Sequence, residues 1–528
     1  MRTLLINPYC PLSEGPTPPL GLAFIAAALE RAGVEVRILD LVTHPYSLDM
    51  LESLLGEFKP QMVGASAVTM TFNDAARVIK DVKKIAPRTV TVMGGPHVTF
   101  CAPQTLESMA ELDAIGIGEG EATVVELARA IDDGRDWGEI KGLAYRRGGR
   151  VHVTEGRAAL DVDGLPPPAR HLLPLGRYRA LGMPISMTTS RGCPFKCIFC
   201  SGRRMVGAKI RYRNPTAVVD EMQYLAGLDF RRINIADDLF TAKRSHAMAV
   251  CDEILKRGLD VDWTCFARAD TVSPPLLARM KEAGCSTLSF GIETGNPEML
   301  EAVKKRLTVP GIVKGVKMAV ASGIDTHVSF ILGLPGETPA TLQETRDFAK
   351  HLQQLGASYG FHLLSPFPGT AVHDEREKFD LKILSDNWSD YHANRAIVET
   401  SSVSREMLDE VVEQWNKEFV DSLLEEGSDP ANGGVDVCED NRLSNLHRVL
   451  FYHELMMDRG IEERGCWRNG SRAVSAAESL GLLASRLAGT AGKGEEEAGG
   501  ILSYAHERGY LGFKQSGNEV RWAWNDYL

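Results

Sequence analysis

Through the first 135 or so residues, short aliphatic and β-branched runs alternate with stretches whose apolar positions recur at helical spacing. Thr3–Ile6, Glu35–Leu39, Met62–Ala65, Val90–Met93 and Ala114–Ile117 read as strands, and 20–32 and 73–86 as amphipathic helices. Strand and helix taking turns at this interval predict an α/β domain over 1–140: a parallel, doubly wound sheet whose ligand site lies outside the carboxyl ends of its strands.

The rhythm then stops. Arg146-Arg147-Gly148-Gly149-Arg150 reads as a hairpin turn and Leu165-Pro166-Pro167-Pro168 as an extended connector, so 141–184 is assigned to a linker. A second α/β run begins at Ile185–Ser190 and continues through strand candidates at 232–236, 262–266, 287–292, 325–331 and 358–364. Six strands separated by helices suit a full or partial βα barrel over 185–400. Residues 401–528 read as a mostly helical, substrate-capping region, broken at Gly489–Gly500 and ending on the aromatic run Arg521-Trp522-Ala523-Trp524. A C-terminal helix or strand docking on the barrel accounts for Trp522 and Trp524 better than substrate contact.

Composition narrows the setting. A length of 528 residues with 44% hydrophobic content suits a folded protein of about three domains. A net charge of −11, with no Lys/Arg run interleaved with aromatics, argues against a nucleic-acid partner. Met1–Pro8 has too short an apolar stretch for a leader and no small-residue cleavage site, and it reads as a first strand. The best apolar run, Gly21–Leu29, falls far short of the roughly 20 residues a membrane span needs, and a cytoplasmic location is the default expectation. Ten cysteines, mostly isolated, do not make a secreted disulfide framework, and Cys251, Cys265 and Cys285 read as buried core thiols.

One cysteine cluster stands apart. Cys193, Cys197 and Cys200 form C-x3-C-x2-C in the loop after the first strand of the second domain. A structural zinc site wants four ligands, yet no other Cys or His lies between His171 and His246. Three thiolates on an iron–sulfur cubane leave one iron open to another ligand. Spacing alone leaves an iron–sulfur cluster, zinc and coincidence as readings.

The run Arg191-Gly192-Cys193-Pro194-Phe195-Lys196-Cys197-Ile198-Phe199-Cys200 resembles the signature of the radical S-adenosylmethionine superfamily, with Phe199 at the aromatic position before the last cysteine. The resemblance implies a [4Fe-4S] cluster whose free iron chelates S-adenosylmethionine and whose electron releases a 5′-deoxyadenosyl radical. It also implies further contacts to S-adenosylmethionine. In Asn234–Phe240 it points to Asp238 for the methionine ammonium, although an Asp pair also caps helices. Arg268 is placed on the methionine carboxylate, with a structural ion pair as the alternative. Glu293 is placed on the ribose or ammonium, and Gly333 and Leu334, in Gly333-Leu334-Pro335-Gly336-Glu337, near the adenine. Ser365–Thr370 matches a run frequent in relatives with an N-terminal cobalamin domain.

The first domain carries that second resemblance. Ser66-Ala67-Val68 after the third strand and Gly94-Gly95 after the fourth are similar to the flavodoxin-like cobalamin-binding domain, as are Gly15–Gly21, Gly94-Gly95-Pro96-His97 and Gly118-Glu119-Gly120-Glu121. A hydroxyl at a strand end bonds the buried nucleotide tail, and glycines let that tail pass close to backbone. Implied cobalamin contacts are Thr17, Pro19, Leu20, Ser66, Thr69, Gly94, Gly95, His97, Gly118, Glu119 and Gly120. The Asp-x-His-x-x-Gly motif that supplies a lower cobalt ligand is absent; the first-strand loop reads Asn7-Pro8-Tyr9-Cys10-Pro11. The cobalt is therefore expected over Thr17–Leu20 without a side-chain ligand, and His97 to be a hydrogen-bonding loop residue.

Together the resemblances imply a cobalamin-dependent radical enzyme that methylates an unactivated carbon of a small molecule. One S-adenosylmethionine makes the substrate radical, cobalamin delivers methyl, and a second restores it; flavodoxin or ferredoxin is the implied electron donor. The alternatives are a non-methylating radical reaction, such as the ring closure of anaerobic porphyrin cyclases, and a cobalamin-binding module without catalysis.

Overall fold

Leu4, Leu5 and Ile6 are all buried in β1 (Arg2–Asn7), so this strand is covered on both faces and lies inside its sheet. In the computed structural model, which describes residues 1–230, 232–427, 442–470 and 473–527, β1 sits between β2 (Glu35–Asp40) and β3 (Met62–Ser66). Strands β4 (Val90–Gly94) and β5 (Ala114–Gly116) follow, all parallel, in spatial order 2-1-3-4-5. The direction of winding reverses between β1 and β3, the crevice where such sheets take ligands. Helices α1 (Leu20–Arg31), α2 (Leu48–Phe58) and α3 (Phe72–Ile85) cover the faces; α2 starts at Ser47, whose hydroxyl accepts the Met50 N–H.

The linker assignment needs one correction. Residues 143–153 form a hairpin, β6 (Leu143–Arg147) and β7 (Arg150–Val153), turned by Gly148 and Gly149, both at positive φ as a two-residue turn of this hand requires. The hairpin adds to the sheet antiparallel to β5, so the first domain extends to Val153. The edge of β5 is covered by chain that local pattern alone placed outside the domain.

The second domain is a six-stranded parallel sheet in chain order: β8 (Ile185–Met187), β9 (Arg232–Ile235), β10 (Asp262–Ala267), β11 (Cys285–Glu293), β12 (Asp325–Leu332) and β13 (Ser358–Leu363). The two end strands do not pair, which makes it a partial barrel. One face, including Ile235, Trp263, Phe290 and Phe330, is buried under the helices. The other presents Asn234, Thr264, Ser289, His327 and Ser329 with Phe266 and Ile331, none of them fully buried, so the inside is an open, largely polar chamber rather than a packed core.

The C-terminal region is helical at Arg405–Gly427, Arg442–Met457, Ala476–Leu487 and Glu495–Glu507, and its 428–441 stretch lies outside the described residues. Its aromatic end is a strand. β14 (Cys466–Arg468), β15 (Leu511–Ser516) and β16 (Glu519–Trp524) form an antiparallel sheet in order 14-16-15. Trp522 and Trp524 are buried against Phe451, Leu483 and Ile501 of this region and against Ala180 and Leu181, so they pack on the connector rather than on the barrel. Arg177 of that connector ties three parts together: it bonds Asp526 (2.6 Å), Glu462 (2.6 Å) and the Thr43 carbonyl (2.9 Å).

Candidate active site

Ser190–Arg191 and Arg211–Tyr212 pair antiparallel and close the base of the loop that carries Cys193, Cys197 and Cys200. Gly192 opens this loop at φ 118°, where a Cβ would lie 2.6 Å from the Lys209 carbonyl oxygen, so only glycine fits. The loop is pinned at its middle: Ile198 N–H donates to the Val303 carbonyl (3.2 Å), and its own carbonyl accepts from Val372 N–H (3.2 Å). Phe199 packs on the barrel core beside them.

The three thiols are free, and burial pushes that of Cys197 up, so binding iron there would release a proton. Among the described residues no three His, Cys, Asp or Glu groups converge as they would on a single ion. A cubane instead takes each thiolate on a different iron, so three separated thiols on one fixed loop fit a [4Fe-4S] cluster and not a closed zinc site.

The paired carboxylates after β9 divide their work. Asp237 is buried and accepts from the N–H and hydroxyl of both Thr189 and Ser190 (2.6–3.1 Å), which holds the approach to the cysteine loop. Asp238 is exposed and accepts the Gly192 N–H (3.1 Å). A Cβ on Gly202 would lie 2.9 Å from Asp238 Oδ1 and 3.4 Å from Cys200 Sγ, so this carboxylate stands beside the cluster loop, free for a cationic ligand.

Arg268 takes the structural ion pair that was the alternative to a methionine-carboxylate contact. It is buried, donates to Asp270 (3.0 and 3.0 Å) and to the carbonyls of Lys305 (2.9 Å) and Arg306 (3.2 Å), and lies 3.7 Å over the Phe195 ring. With four hydrogen bonds made and its face stacked, it anchors the cysteine loop instead of offering a fork to a carboxylate. Glu293 has φ 73°, at the irregularity that ends β11, and its carboxylate meets Lys305 Nζ at 2.5 Å over Gly291. Gly333, at φ 83°, donates its N–H to buried Glu337 (2.6 Å), whose carboxyl is pushed up to about 7 by burial. Leu334 is wholly buried in the core, backbone and side chain alike.

At the carboxyl ends of β1, β3 and β4 lies a cavity of about 300 Å³, open to solvent. Ser66, Gly94, Gly95, Gly118, Glu119 and Gly120 line it, with Leu5, Met62 and Val92 deeper in. At Gly95 a Cβ would lie 2.7 Å from the Ala67 carbonyl oxygen, whereas at Gly94 it would meet nothing within 4 Å. An apolar slot reaching into a sheet between glycines fits the nucleotide tail of cobalamin.

The remaining implied contacts fall outside this slot. Thr17 reaches the barrel, where Ser186 Oγ donates to it (3.4 Å), and Pro19 and Leu20 lead into Gly21 and Leu22 of the cavity wall. Thr69 and His97 pair with each other (3.3 Å), and His97 packs on Phe72 and Trp388. Burial lowers the His97 imidazole to about 4. It is a neutral packing group at the domain junction.

Sequence reasoning named Glu119 as a cobalamin contact but missed the ion pairs through which it and Glu121 join the two sites. Arg191 bonds Glu119 (3.0 Å) and Glu121 (2.7 Å), and Arg211 bonds Glu119 through both nitrogens (2.8 and 3.0 Å). Burial would raise the Glu119 carboxyl, but Arg211 and Arg191 hold it below the usual range. Met205 and Val206, just past Cys200, complete the cavity wall. The adjacency of Arg191 to Gly192-Cys193 was the one local signal.

The sequence matches the B12 binding domain family over residues 10–128 and the Radical SAM superfamily over 187–349. It is 36% identical over 377 residues to an uncharacterized methyltransferase of Pyrococcus horikoshii, covering 71% of this chain and 81% of that protein. An anaerobic magnesium-protoporphyrin IX monomethyl ester cyclase of Rubrivivax gelatinosus is 30% identical over 443 residues, 80% of this chain and 78% of the cyclase. The fold is shared with the cobalamin-dependent radical enzyme OxsB, solved with aqua-cobalamin and S-adenosylmethionine bound: TM-score 0.68 at 17% identity, over 96% of this chain and 79% of that one. The cysteine loop, the glycine-lined cavity and these matches place the chain in the family of radical S-adenosylmethionine enzymes that carry an N-terminal B12-binding domain.

Proposed function

We propose that the protein is a radical C-methyltransferase that acts on a small molecule held between its two domains. The observation that carries this reading is the shared wall: Arg191, Met205 and Val206, from the segment bearing the cluster cysteines, line the same cavity as Ser66 and Gly94. When bound, the cluster supplies the electron that cleaves S-adenosylmethionine to a 5′-deoxyadenosyl radical, and cobalamin carries the methyl group.

The chain's own work is positioning. Cys193, Cys197 and Cys200 hold the cluster, with Phe199 packed behind them. Asp238 accepts the methionine ammonium, the Glu293–Lys305 pair faces the ribose, and the backbone at Gly333 borders the adenine. Thr17–Leu20, between cavity and barrel, would help hold the cobalamin. The polar inner face of the barrel takes the substrate, and no general acid or base is required of the protein. Flavodoxin or ferredoxin is the proposed electron donor, in the cytoplasm; among the described residues no helix is long and apolar enough to cross a membrane.

The relationship to the Rubrivivax cyclase favours oxidative ring closure as a second reading. Anaerobic reconstitution with iron, sulfide and hydroxocobalamin, followed by product mass balance during turnover, separates the two. Methylation yields S-adenosylhomocysteine and 5′-deoxyadenosine in equal amounts; turnover without S-adenosylhomocysteine refutes it.

A further inference from the structure

Arg191 and Arg211 stand directly opposite one another in the two-residue ladder that closes the cysteine loop. Like charges in that position repel and weaken the closure of the loop's base. The neutralising groups come from the other domain. Glu119 takes Arg211 as a two-pronged partner and Arg191 as a single one, and Glu121 takes Arg191 as well, with all four side chains largely shielded from water.

Glu119 also sits in the turn between Gly118 and Gly120, in the wall of the cobalamin-type cavity. Its carboxylate further accepts the Leu160 N–H (3.2 Å), while Arg211 donates to the carbonyls of Leu160 and Val206 (2.7 Å each). Val206 lines the cavity too. The turn that a nucleotide tail must touch is therefore bonded, through one side chain, to both strands that bear the cluster loop.

We propose that Glu119 is a positioning residue that couples the two cofactor sites, so that cobalamin seated against the 118–120 turn sets the base of the cysteine loop for S-adenosylmethionine. The coupling is reciprocal: each ligand tightens the other by the same factor.

The test uses the full-length chain reconstituted with iron and sulfide, with the cluster kept oxidised so that no S-adenosylmethionine is cleaved. The Kd for S-adenosylmethionine is measured with and without saturating hydroxocobalamin, and the Kd for hydroxocobalamin with and without S-adenosylmethionine. The wild-type chain is expected to show matching factors of about five or more. Glu119→Gln keeps the size of the side chain and removes its charge, and should bring both factors within about twofold of unity while iron content and the cobalamin absorbance spectrum stay as in the wild type. Arg211→Lys, which keeps charge but loses the fork, should fall between. Wild-type affinities independent of the other ligand overturn the proposal, as does a Glu119→Gln chain that retains full coupling. Should that variant not fold, the wild-type titrations decide. Neither titration involves methyl transfer, so failure here is distinct from failure of the proposed reaction.

Discussion

Gly94 and Gly95 are neighbours in the cavity wall, yet alanine should act on them in opposite ways. Gly95 has φ 103° and ψ 174°, a region essentially restricted to glycine, where another residue costs about 1–3 kcal/mol. Its Cβ would lie 2.7 Å from the oxygen and 3.0 Å from the nitrogen of Ala67, both backbone atoms. Ala67 is pinned there, donating to the Gly94 carbonyl (2.8 Å) and accepting from His97 N–H (3.2 Å). Forcing it away weakens two hydrogen bonds worth about 1 kcal/mol each, so Gly95→Ala should cost about 3–5 kcal/mol in all. At Gly94 the new methyl meets no protein atom and φ is ordinary, so stability should hold or rise by up to about 1 kcal/mol. That methyl occupies cavity space instead, and overfilling a shaped site by about 1.4 kcal/mol lowers hydroxocobalamin affinity about tenfold. Urea denaturation followed by circular dichroism reads the first effect, and absorbance titration with hydroxocobalamin the second. The reasoning fails if Gly94→Ala is as unstable as Gly95→Ala, or if it binds hydroxocobalamin as tightly as the wild type.

Three further outcomes follow from the geometry. His97 is buried with its folded value near 4, below the ordinary imidazole range, so the unfolded chain protonates first; its contribution is intact above about pH 6.5 and declines towards pH 4, by up to about 3 kcal/mol. In His97→Phe the loss of urea midpoint between pH 7 and 4.5 should be smaller than in the wild type, and an equal loss would assign acid sensitivity elsewhere. Asp237→Ala strands the N–H groups of Thr189 and Ser190 and the Ser190 hydroxyl, while the Thr189 hydroxyl keeps His246, and should destabilise by about 3–5 kcal/mol, whereas Asp238→Asn should leave the urea midpoint unchanged and weaken S-adenosylmethionine binding in equilibrium dialysis. Arg268→Met removes the stack on Phe195 and the bonds to 305–306, so iron retained after gel filtration should drop below the wild-type content while that of Arg279→Met, at an exposed ion pair, does not.

Much of the architecture was legible because it is written at short range. Alternation of period two and 3.6 marks the core strands and helices, and ten of the eleven core parallel strands fall within two residues of the runs that pattern picks out; the exception is β8, which stops at Met187, three residues before the run ends at Ser190. The cysteine loop was legible for the same reason, since its three thiols lie within eight residues, although spacing alone left open what they hold. The Gly148-Gly149 turn was readable too, but not where its hairpin would pair, since the β5 edge that it covers is set by register between distant segments.

The two α/β units, the cysteine loop and the glycine turns are set locally, because each depends on residues a few positions apart. How side chains of one type divide their roles is set by the folded neighbourhood. Asp237 turns inward because the Thr189 and Ser190 donors of a neighbouring segment meet it there, while Asp238, next in the loop after β9, is left exposed beside Gly192. Arg268 is engaged by carbonyls nearly 40 residues away, and Glu119 meets Arg211 across 92 positions. A charged group's function depends on which partners reach it in space, and those partners are brought by the fold.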